Sequence, residues 1–298
     1  MSTAYDMSDC TLCPRNCHAD RTKGTGVCGV NDKIKLAKAY LHKWEEPPIS
    51  HKNGSGTVFF SGCSLKCCFC QNHKISHDAF GKQVSTERLG DIFIELQDKG
   101  AENINLVSGA HFVPQIINAL DRVKHRLTIP VVYNSGGYEK EETLKMLEGY
   151  VDIYLPDMKY FSPELSKKYS GAEDYFEHNI AAVKEMHRQQ PKLVFDGEKM
   201  LNGMIIRHLI LPRCRHDSMK ILEVIHDTLP EKSYLISLMS QYTPAYRSSE
   251  HKEINRRITG FEYDSVVDKA LEMGMEGFFQ ERSSAKSEYT PEFDLEGV

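Results

Sequence analysis

Long apolar runs are missing from this sequence of 298 residues, and no stretch approaches the roughly 18 apolar residues that suggest a membrane-spanning helix. Residues 1–9 are polar and lack the apolar core of a secretory signal peptide. Low-complexity tracts and internal repeats are also missing, and a composition of 40% hydrophobic and 27% charged residues excludes a disordered or collagen-like chain. We therefore expect a globular cytoplasmic protein that has no membrane partner.

An excess of basic residues is missing too, since 37 Lys and Arg stand against 42 Asp and Glu, which gives a net charge of −5. Proteins that bind duplex nucleic acids present basic surfaces to the phosphates, so no nucleic-acid partner is expected. The length fits one large domain with a small appendage, or two ordinary domains.

Cysteine is scarce after residue 70, where Cys214 stands alone, but eight cysteines crowd between Cys10 and Cys70. A disulfide scaffold would be a shorter chain with its cysteines spread along it. Cysteines only a few residues apart, in a chain without a signal peptide, instead favour thiolates that bind metal.

From residue 56 onwards, short apolar runs alternate with helical stripes. Six of these runs predict strands, at 57–60, 104–107, 129–133, 151–155, 204–210 and 234–238. Six strands with helices between them predict an α/β fold, a partial (β/α)6 barrel of the TIM type with right-handed crossovers. Residues 34–41 alternate loosely and predict a β-ribbon ahead of the barrel.

The chain is expected to divide into three parts. Residues 1–45 would form a Cys-rich metal-binding segment, residues 46–282 the barrel, and residues 283–298 a C-terminal tail. Active sites of parallel α/β folds lie at the carboxyl ends of the strands. The polar residues that follow the predicted strands are therefore the candidates, at 61–63, 108–111, 134–137, 157–159, 212–213 and 240–242.

The first cysteine constellation is Cys63, Cys67 and Cys70, in a C-x3-C-x2-C pattern directly after the first predicted strand. Three thiolates at this spacing can bind three irons of a 4Fe–4S cluster and leave the fourth iron open for a small molecule. The alternative is a zinc loop with Cys68 as the fourth ligand, but adjacent cysteines wrap one tetrahedral ion poorly. Cys68 is expected to be a small buried neighbour instead.

The second constellation is Cys10, Cys13, Cys17 and Cys28. Four cysteines can close a coordination sphere, which suits a structural metal. Zinc is the first choice and an auxiliary 4Fe–4S cluster is the second. A segment with so few apolar residues is expected to be unfolded without its metal.

The C-x3-C-x2-C loop, with the aromatic Phe69 before its last cysteine, resembles that of the radical S-adenosylmethionine (SAM) enzymes. The resemblance covers about residues 56–245. Within that superfamily the chain resembles an uncharacterised group related to the pyruvate formate-lyase-activating enzymes. One branch of this group that the chain resembles is queuine lyase. The stretches that carry this finer resemblance are 13–17, 54–63, 70–72, 132–138, 152–157 and 239–242.

The resemblance implies a cofactor pair and a radical chemistry. The open iron would bind the amino and carboxylate groups of SAM, and an electron from a reductant such as flavodoxin or ferredoxin would break the C5′–S bond. The resulting 5′-deoxyadenosyl radical would take a hydrogen atom from the substrate. The resemblance also implies that Phe69 lies beside the adenine and that Lys159 pairs with the SAM carboxylate.

The residues expected on the cofactor side are Phe69, Gly109, Asp157, Lys159 and Arg207. One departure concerns the turn after the second predicted strand, where the superfamily often carries a Gly-Gly-Glu-like sequence. Here the turn is Ser108-Gly109-Ala110, so backbone carbonyls would have to receive the SAM amino group.

The substrate implied by the queuine lyase branch is a small molecule with a flat base, a cationic amine and a diol. A pocket for it should offer carboxylates and aromatic surface. The residues expected to form that pocket are Glu45, Tyr133, Asn134, Tyr154, Gln241 and Tyr242. Two alternatives remain open, namely an activating enzyme that makes a glycyl radical on a partner protein and, less favoured, a non-enzymatic metal-binding module.

Overall fold

The computed structural model of the protein describes residues 5–280 and 291–298, so residues 283–290 of the expected C-terminal tail lie outside the described residues. The strands in the described part are β1 Lys35–His42, β2 Ser55–Phe60, β3 Lys82–Gln83, β4 Ile104–Val107, β5 Val131–Ser135, β6 Ile153–Pro156, β7 Val194–Asp196, β8 Lys199–Leu209, β9 Leu235–Met239 and β10 Gly277–Phe279. The α-helices there are α1 Pro47–Ser50, α2 His73–Ser76, α3 Thr86–Asp98, α4 Val113–Val123, α5 Glu141–Lys145, α6 Pro163–Ser170, α7 Tyr175–Gln189, α8 Arg215–Thr228 and α9 Gly260–Glu272.

The strands form one sheet in the order β10-β9-β8-β6-β5-β4-β2-β1-β3. Neighbours from β2 to β10 along this order are parallel, which confirms the α/β partial barrel. The six predicted parallel strands are present, and β10 adds a short seventh that the sequence analysis misses. Three residues are too few for a periodic signal. A glycine is required at 277, because a Cβ there would lie 1.8 Å from the carbonyl oxygen of Ile236.

The predicted β-ribbon forms and joins the same sheet. β1 pairs antiparallel with β2 on one side and with β3 on the other. The division of the chain after residue 45 remains a proposal, since β1 lies before that division and pairs with β2 after it.

Several helices begin at residues whose side chains satisfy free backbone N–H groups. Ser85 accepts from the N–H of Arg88 at the start of α3, and Ser162 accepts from Leu165 at the start of α6. Thr259 and Glu262 form a reciprocal capping box at α9. No helix of the described residues is both long and apolar enough to cross a membrane.

The core has an outer part under the helices and an inner part within the curve of the sheet. Successive strand residues point to opposite faces. On β5, Tyr133 belongs to the large outer cluster, whereas Val132 packs inside. The inner cluster also contains Ile49 of α1, whose carbonyl oxygen accepts a hydrogen bond of 2.7 Å from Asn103 Nδ2. The short helix α1 therefore fills part of the barrel interior.

The last described residues, 291–298, lie along β1. The N–H of Leu295 donates a hydrogen bond to the carbonyl oxygen of Ala37, at 3.2 Å. The N–H of Ala39 donates to the carbonyl oxygen of Glu296, at 2.8 Å. Phe293 is 5% exposed, and its ring centroid lies 5.4 Å from that of Phe59. These contacts make the C-terminal residues part of the packed structure.

We predict that Phe293→Ala lowers the free energy of unfolding by about 3 kcal/mol, since it empties a buried aromatic site. Phe261→Ala is the control, because Phe261 is 69% exposed and its loss should change stability by less than about 0.5 kcal/mol. Urea unfolding of both variants measures the difference. Equal midpoints for the two variants would show that the C-terminal residues contribute no packing energy.

Candidate active site

The C-x3-C-x2-C loop leaves the carboxyl end of β2. Cys63, Cys67 and Cys70 are partly exposed, whereas Cys68 is buried in a core cluster together with Phe69. The burial expected of Cys68 is confirmed. The three spaced cysteines of this loop are therefore less buried as residues than Cys68.

The thiols of this loop influence one another. Burial raises the pKa of Cys63 to about 12, and the charges of Cys67 and Cys70 act in the same direction. Burial likewise raises the pKa of Cys70 to about 11, with a further contribution from Cys67. Without a bound cation Cys63 and Cys70 are held protonated at neutral pH, and a metal would be needed to ionise both.

Hydrogen bonds from the end of α6 hold the loop in place. The N–H of Cys68 donates to the carbonyl oxygen of Tyr169, at 2.8 Å, and the N–H of Lys66 donates to that of Ser170, at 3.2 Å. The Ser170 hydroxyl also donates to Cys67 Sγ at 3.0 Å. The sulfur positions are thus set by a second element of the barrel.

A cavity of about 210 Å³ lies beside the loop. Cys67, Cys70 and the ring of Phe69 form one wall, and Asp157 and Lys159 contribute to its lining. The residues that complete the lining are Gln71, Asn72, Arg207, Leu209, Met239, Gln241, Tyr242 and Thr243. Thiols on one side and fixed charges on the other suit a ligand that binds metal and also carries charged groups.

A buried network of charges centres on Arg207 of β8. Its guanidinium donates to Asp157 Oδ1 at 2.9 Å, to Asn134 Oδ1 at 2.7 Å and to Glu45 Oε2 at 3.3 Å. Lys159 Nζ donates to the other oxygen of Asp157 at 2.6 Å. Burial opposes ionisation of Asp157, but the charges of Arg207 and Lys159 outweigh it and hold the pKa of this carboxyl below its usual value.

Arg207 also lines a larger cavity of about 1000 Å³. Its wall includes Glu45, Glu46, Ser237 and the aromatic Trp44. A third cavity of about 160 Å³ lies between the two, and all three share Arg207 and Gln241. The shared residues make these cavities neighbouring compartments of one site.

The carboxyl groups of the larger cavity lack full compensation. Burial raises the pKa of Glu46 to about 7 despite the opposing charge of Arg207, and the charge of Glu45 adds to the rise. Burial also raises the pKa of Glu45, again against the charge of Arg207. Glu46 is 8% exposed, and its Oε2 has no hydrogen-bond partner.

The structure brings most of the predicted site residues together. Phe69, Asp157, Lys159 and Arg207 lie around the smaller cavity, and Glu45, Asn134, Gln241 and Tyr242 line one or more of the three. Tyr242 contributes its ring, since its hydroxyl is bonded to the carbonyl oxygen of Ile254.

Three predicted residues lie elsewhere. Tyr133 and Tyr154 are fully buried in the outer core. Their hydroxyls donate to Glu139 and Gln189, so these tyrosines sit beneath the helices. Gly109 lies in the turn after β4, and a Cβ at this position would lie 2.6 Å from Cδ1 of the buried Ile116.

Some lining residues are not predicted from the sequence. Gln71 and Asn72 line two of the cavities. Because they follow Cys70 directly, their position in the sequence could have predicted that they lie at the site. Ser237 of β9 and Phe278 of β10 line the larger cavity, but a three-residue strand gives no pattern from which Phe278 could be found.

The N-terminal cysteines lie close to one another. Sγ of Cys17 and Sγ of Cys28 are each 3.4 Å from the position of a Cβ on Gly26. Burial raises the pKa of Cys13 to about 12, and the charges of Cys28 and Cys10 add to the rise. Within residues 5–280 and 291–298, however, no three Cys, His, Asp or Glu side chains are gathered closely enough to hold a single metal ion.

Comparison with solved structures supports the fold. SuiB from Streptococcus suis, bound to precursor peptide SuiA or to S-adenosylmethionine, matches this structure with a TM-score of 0.50 in each case. The identities are 12% and 13%, and the matches cover 74% and 76% of this chain. The chain spans about half the length of SuiB, 46% and 50%, and at these identities the likeness shows the fold alone.

Comparison with known sequences identifies the family. An uncharacterised protein of Methanocaldococcus jannaschii, MJ0674, is 31% identical over 276 residues, which cover 89% of this chain and 74% of that protein. The family model of the radical SAM superfamily matches residues 57–206, which include the cysteine loop, Asp157 and Lys159. The chain therefore belongs to the radical SAM superfamily of enzymes, and this membership implies a 4Fe–4S cluster and SAM as its cofactors.

Proposed function

We propose that this enzyme splits a small nucleobase-like substrate that carries a cationic amine, with queuine as the specific candidate and a 7-deazaguanine as the product. The observation that carries the proposal is the cavity of about 1000 Å³ with the carboxyl groups of Glu45 and Glu46 in its wall. Small-molecule pockets commonly measure roughly 300–1,000 Å³, so this cavity can hold such a base.

The residues around the smaller cavity fit the cofactors of the family. Cys63, Cys67 and Cys70 would hold the cluster, because three thiols at this spacing on one loop can bind three irons. Lys159 is the cation suited to a carboxylate of SAM, and Phe69 offers a ring to the adenine. When bound, the two cofactors supply the one-electron cleavage of SAM that leads to hydrogen abstraction from the substrate.

The carboxyl groups of the larger cavity favour a cationic ligand. Glu45 already accepts a hydrogen bond from Arg207, but Glu46 Oε2 has no partner. A buried carboxylate that lacks a counter-charge gains stability from a substrate ammonium placed beside it. Trp44 and Phe278 in the same wall offer aromatic surface to a flat base.

The compartment nearest the cysteines would position the reacting carbon and limit access of water. Leu209, Met239 and Tyr242 give it apolar surface. Arg207 and Gln241 belong to both this compartment and the larger one, so they would orient the polar groups of the substrate between them.

One observation favours a second function, the activation of a partner protein by a glycyl radical. Trp44 and Phe195 line the larger cavity and are 56% and 41% exposed. Exposed aromatic residues at the rim of a cavity suit a polypeptide loop that enters it. A glycyl-radical EPR signal on a partner protein, with SAM and reductant present, would support this alternative.

We predict that Cys67→Ala abolishes the formation of 5′-deoxyadenosine, since one of the three cluster ligands is lost. The measurement is chromatography of anaerobic reactions that contain reductant and SAM. Cys214→Ala is the matched control, because Cys214 is a buried cysteine outside the loop and its variant should stay active. Activity in the Cys67 variant would contradict the assignment of the cluster.

We predict that queuine accelerates the formation of 5′-deoxyadenosine and is converted to a 7-deazaguanine that mass spectrometry detects. The physical reason is that a substrate in the larger cavity gives the radical a hydrogen atom to take. Absence of both effects would remove queuine as the substrate but would leave the cofactor assignment standing.

We predict that queuine binding tightens about tenfold between pH 6 and pH 8 in the presence of SAM, because Glu46 must ionise to pair with the ammonium. The pKa of Glu46 is raised to about 7, so the group is mostly neutral below that pH and mostly charged above it. Titration calorimetry measures the dissociation constant.

The variant Glu46→Gln should bind weakly and without this pH dependence. Glu198→Gln is the control, since Glu198 lines the same cavity but is exposed. If the Glu46 variant keeps the wild-type pH profile, another group binds the amine.

A further inference from the structure

The cavity of about 160 Å³ differs in chemistry from the two cavities beside it. Its lining contains one ion pair, Glu45 with Arg207, whose side chains are hydrogen-bonded at 3.3 Å. The remaining polar groups are an imidazole, an indole and four amides, contributed by His42, Trp44, Gln71, Asn72, Asn134 and Gln241. Neutral donors and acceptors of this kind suit hydroxyl groups, which both donate and accept hydrogen bonds.

The size and position of this cavity suit one part of a larger ligand. Pockets for whole small molecules commonly measure roughly 300–1,000 Å³, and this cavity is smaller. It shares Gln71 and Asn72 with the cavity beside the cysteine loop, and it shares Trp44 and Glu45 with the larger cavity. A substrate whose base and amine occupy the larger cavity can therefore place a further ring here, close to the cysteines.

His42, the last residue of β1, has one ring nitrogen open to a ligand. The side chain lines the cavity and is 6% exposed as a residue. Its Nδ1 shares a hydrogen bond of 2.5 Å with the Tyr40 hydroxyl, whereas its Nε2 has no hydrogen-bond partner among the described residues. Burial lowers the pKa of His42 to about 4, so the imidazole is neutral at neutral pH and suits a neutral ligand group.

Two amides in the same lining are also open to a ligand. Asn72 stands at the start of α2, where asparagine commonly bonds to the free N–H groups of a helix, but its side chain forms no capping hydrogen bond. Within residues 5–280 and 291–298, neither this amide nor that of Gln71 is hydrogen-bonded to another residue. The amide of Asn134 differs, because it accepts from Arg207 at 2.7 Å and donates to Glu45 at 3.3 Å.

We propose that this cavity binds two adjacent hydroxyl groups of the substrate, with His42, Gln71 and Asn72 as the residues that bind them. The ligand class is a vicinal diol on a small ring, such as the diol of queuine. The assignment rests on the proposed function, since the base and the amine of the same molecule occupy the larger cavity. Phe59 and Val107 in the lining offer apolar surface to the ring carbons. Binding of the hydroxyl groups holds the ring beside the cysteine loop and selects the C–H bond that lies nearest the cofactor.

The first test compares two ligands on the enzyme loaded with cluster and SAM, without reductant so that no turnover occurs. One ligand is queuine, and the other has the same base and amine on a five-membered ring without hydroxyl groups. Queuine should bind about 10- to 100-fold more tightly, because the analogue leaves two sets of polar groups in the cavity without partners. Titration calorimetry measures both dissociation constants.

The two ways in which this test can fail are distinct. Equal affinity for the two ligands would overturn the hydroxyl site and leave the assignment of the base and the amine standing. If neither ligand binds, the proposed function is wrong and the hydroxyl site is wrong with it.

The second test asks whether His42 binds the hydroxyl groups or only supports the fold. His42→Phe keeps a ring of similar size and removes both nitrogens, so it should weaken queuine about tenfold and leave the affinity of the hydroxyl-free ligand unchanged. His226→Phe is the matched control, since His226 lies on α8 outside the three cavities and both ligands should keep their wild-type affinities. Equal weakening of both ligands by His42→Phe would show a structural role and overturn its assignment.

Asn72→Leu provides a second variant in case His42→Phe does not fold. Asn72 is partly exposed and its side chain bonds to no described residue, so the substitution should leave the fold and the iron content unchanged. It should reduce the preference for queuine over the hydroxyl-free ligand by about three- to tenfold. A wild-type preference in this variant and in His42→Phe would show that the hydroxyl groups bind elsewhere, and the proposal would be wrong.

Discussion

The buried guanidinium of Arg207 is the interaction on which the site depends. It joins Asp157, which follows β6, to Glu45, which precedes α1. Burial alone would lower the pKa of Arg207, but the charges of Asp157, Glu46 and Glu45 raise it above its usual value. Lys159 pairs with Asp157, whereas the charge of Arg207 is shared among Asp157, Glu45 and Glu46, and burial still raises the pKa of Glu46 to about 7. The cavity wall beside Arg207 therefore stays receptive to a cation.

The two-residue period of a strand explains which predicted residues reach this site. Asn134 and Tyr133 are neighbours on β5, and only Asn134 faces Arg207 inside the barrel. β6 repeats the pattern, because Tyr154 pairs in register with Tyr133 and lies on the same outer side. In sequence, β6 is apolar throughout and β5 is apolar up to Tyr133, as expected of a sheet covered on both faces. Such strands carry no polar alternation that tells the inner face from the outer one.

The predictable parts of the molecule are those encoded by local spacing. The cysteine loop, the six predicted parallel strands and the position of Asp157 and Lys159 after one of them follow from short motifs or periodic runs. Glu46 and Arg21 are buried by segments that are distant from them in sequence. Glu46 lines one cavity together with Ser237 of β9, and Arg21 donates a hydrogen bond to the carbonyl oxygen of His111. Burial of this kind comes from contacts between residues far apart in sequence, which no local pattern records. For this reason only the structure shows that Oε2 of Glu46 and Nε of Arg21 are buried without a hydrogen-bond partner.

A cluster loop with three ligands has to be held by more than its metal, since one coordination position stays open for the cofactor. The structure supplies this support from both sides. At the start of the loop, the carbonyl oxygen of Cys28 accepts a hydrogen bond from the N–H of Cys63. In the middle of the loop, the hydroxyl of Ser170 donates a hydrogen bond to Sγ of Cys67. After the loop, Lys74 of α2 donates to the carbonyl oxygen of Phe293, at 2.8 Å. Residues near both ends of the chain thus contact the two flanks of the loop, and the sulfur positions depend on how the whole barrel is packed.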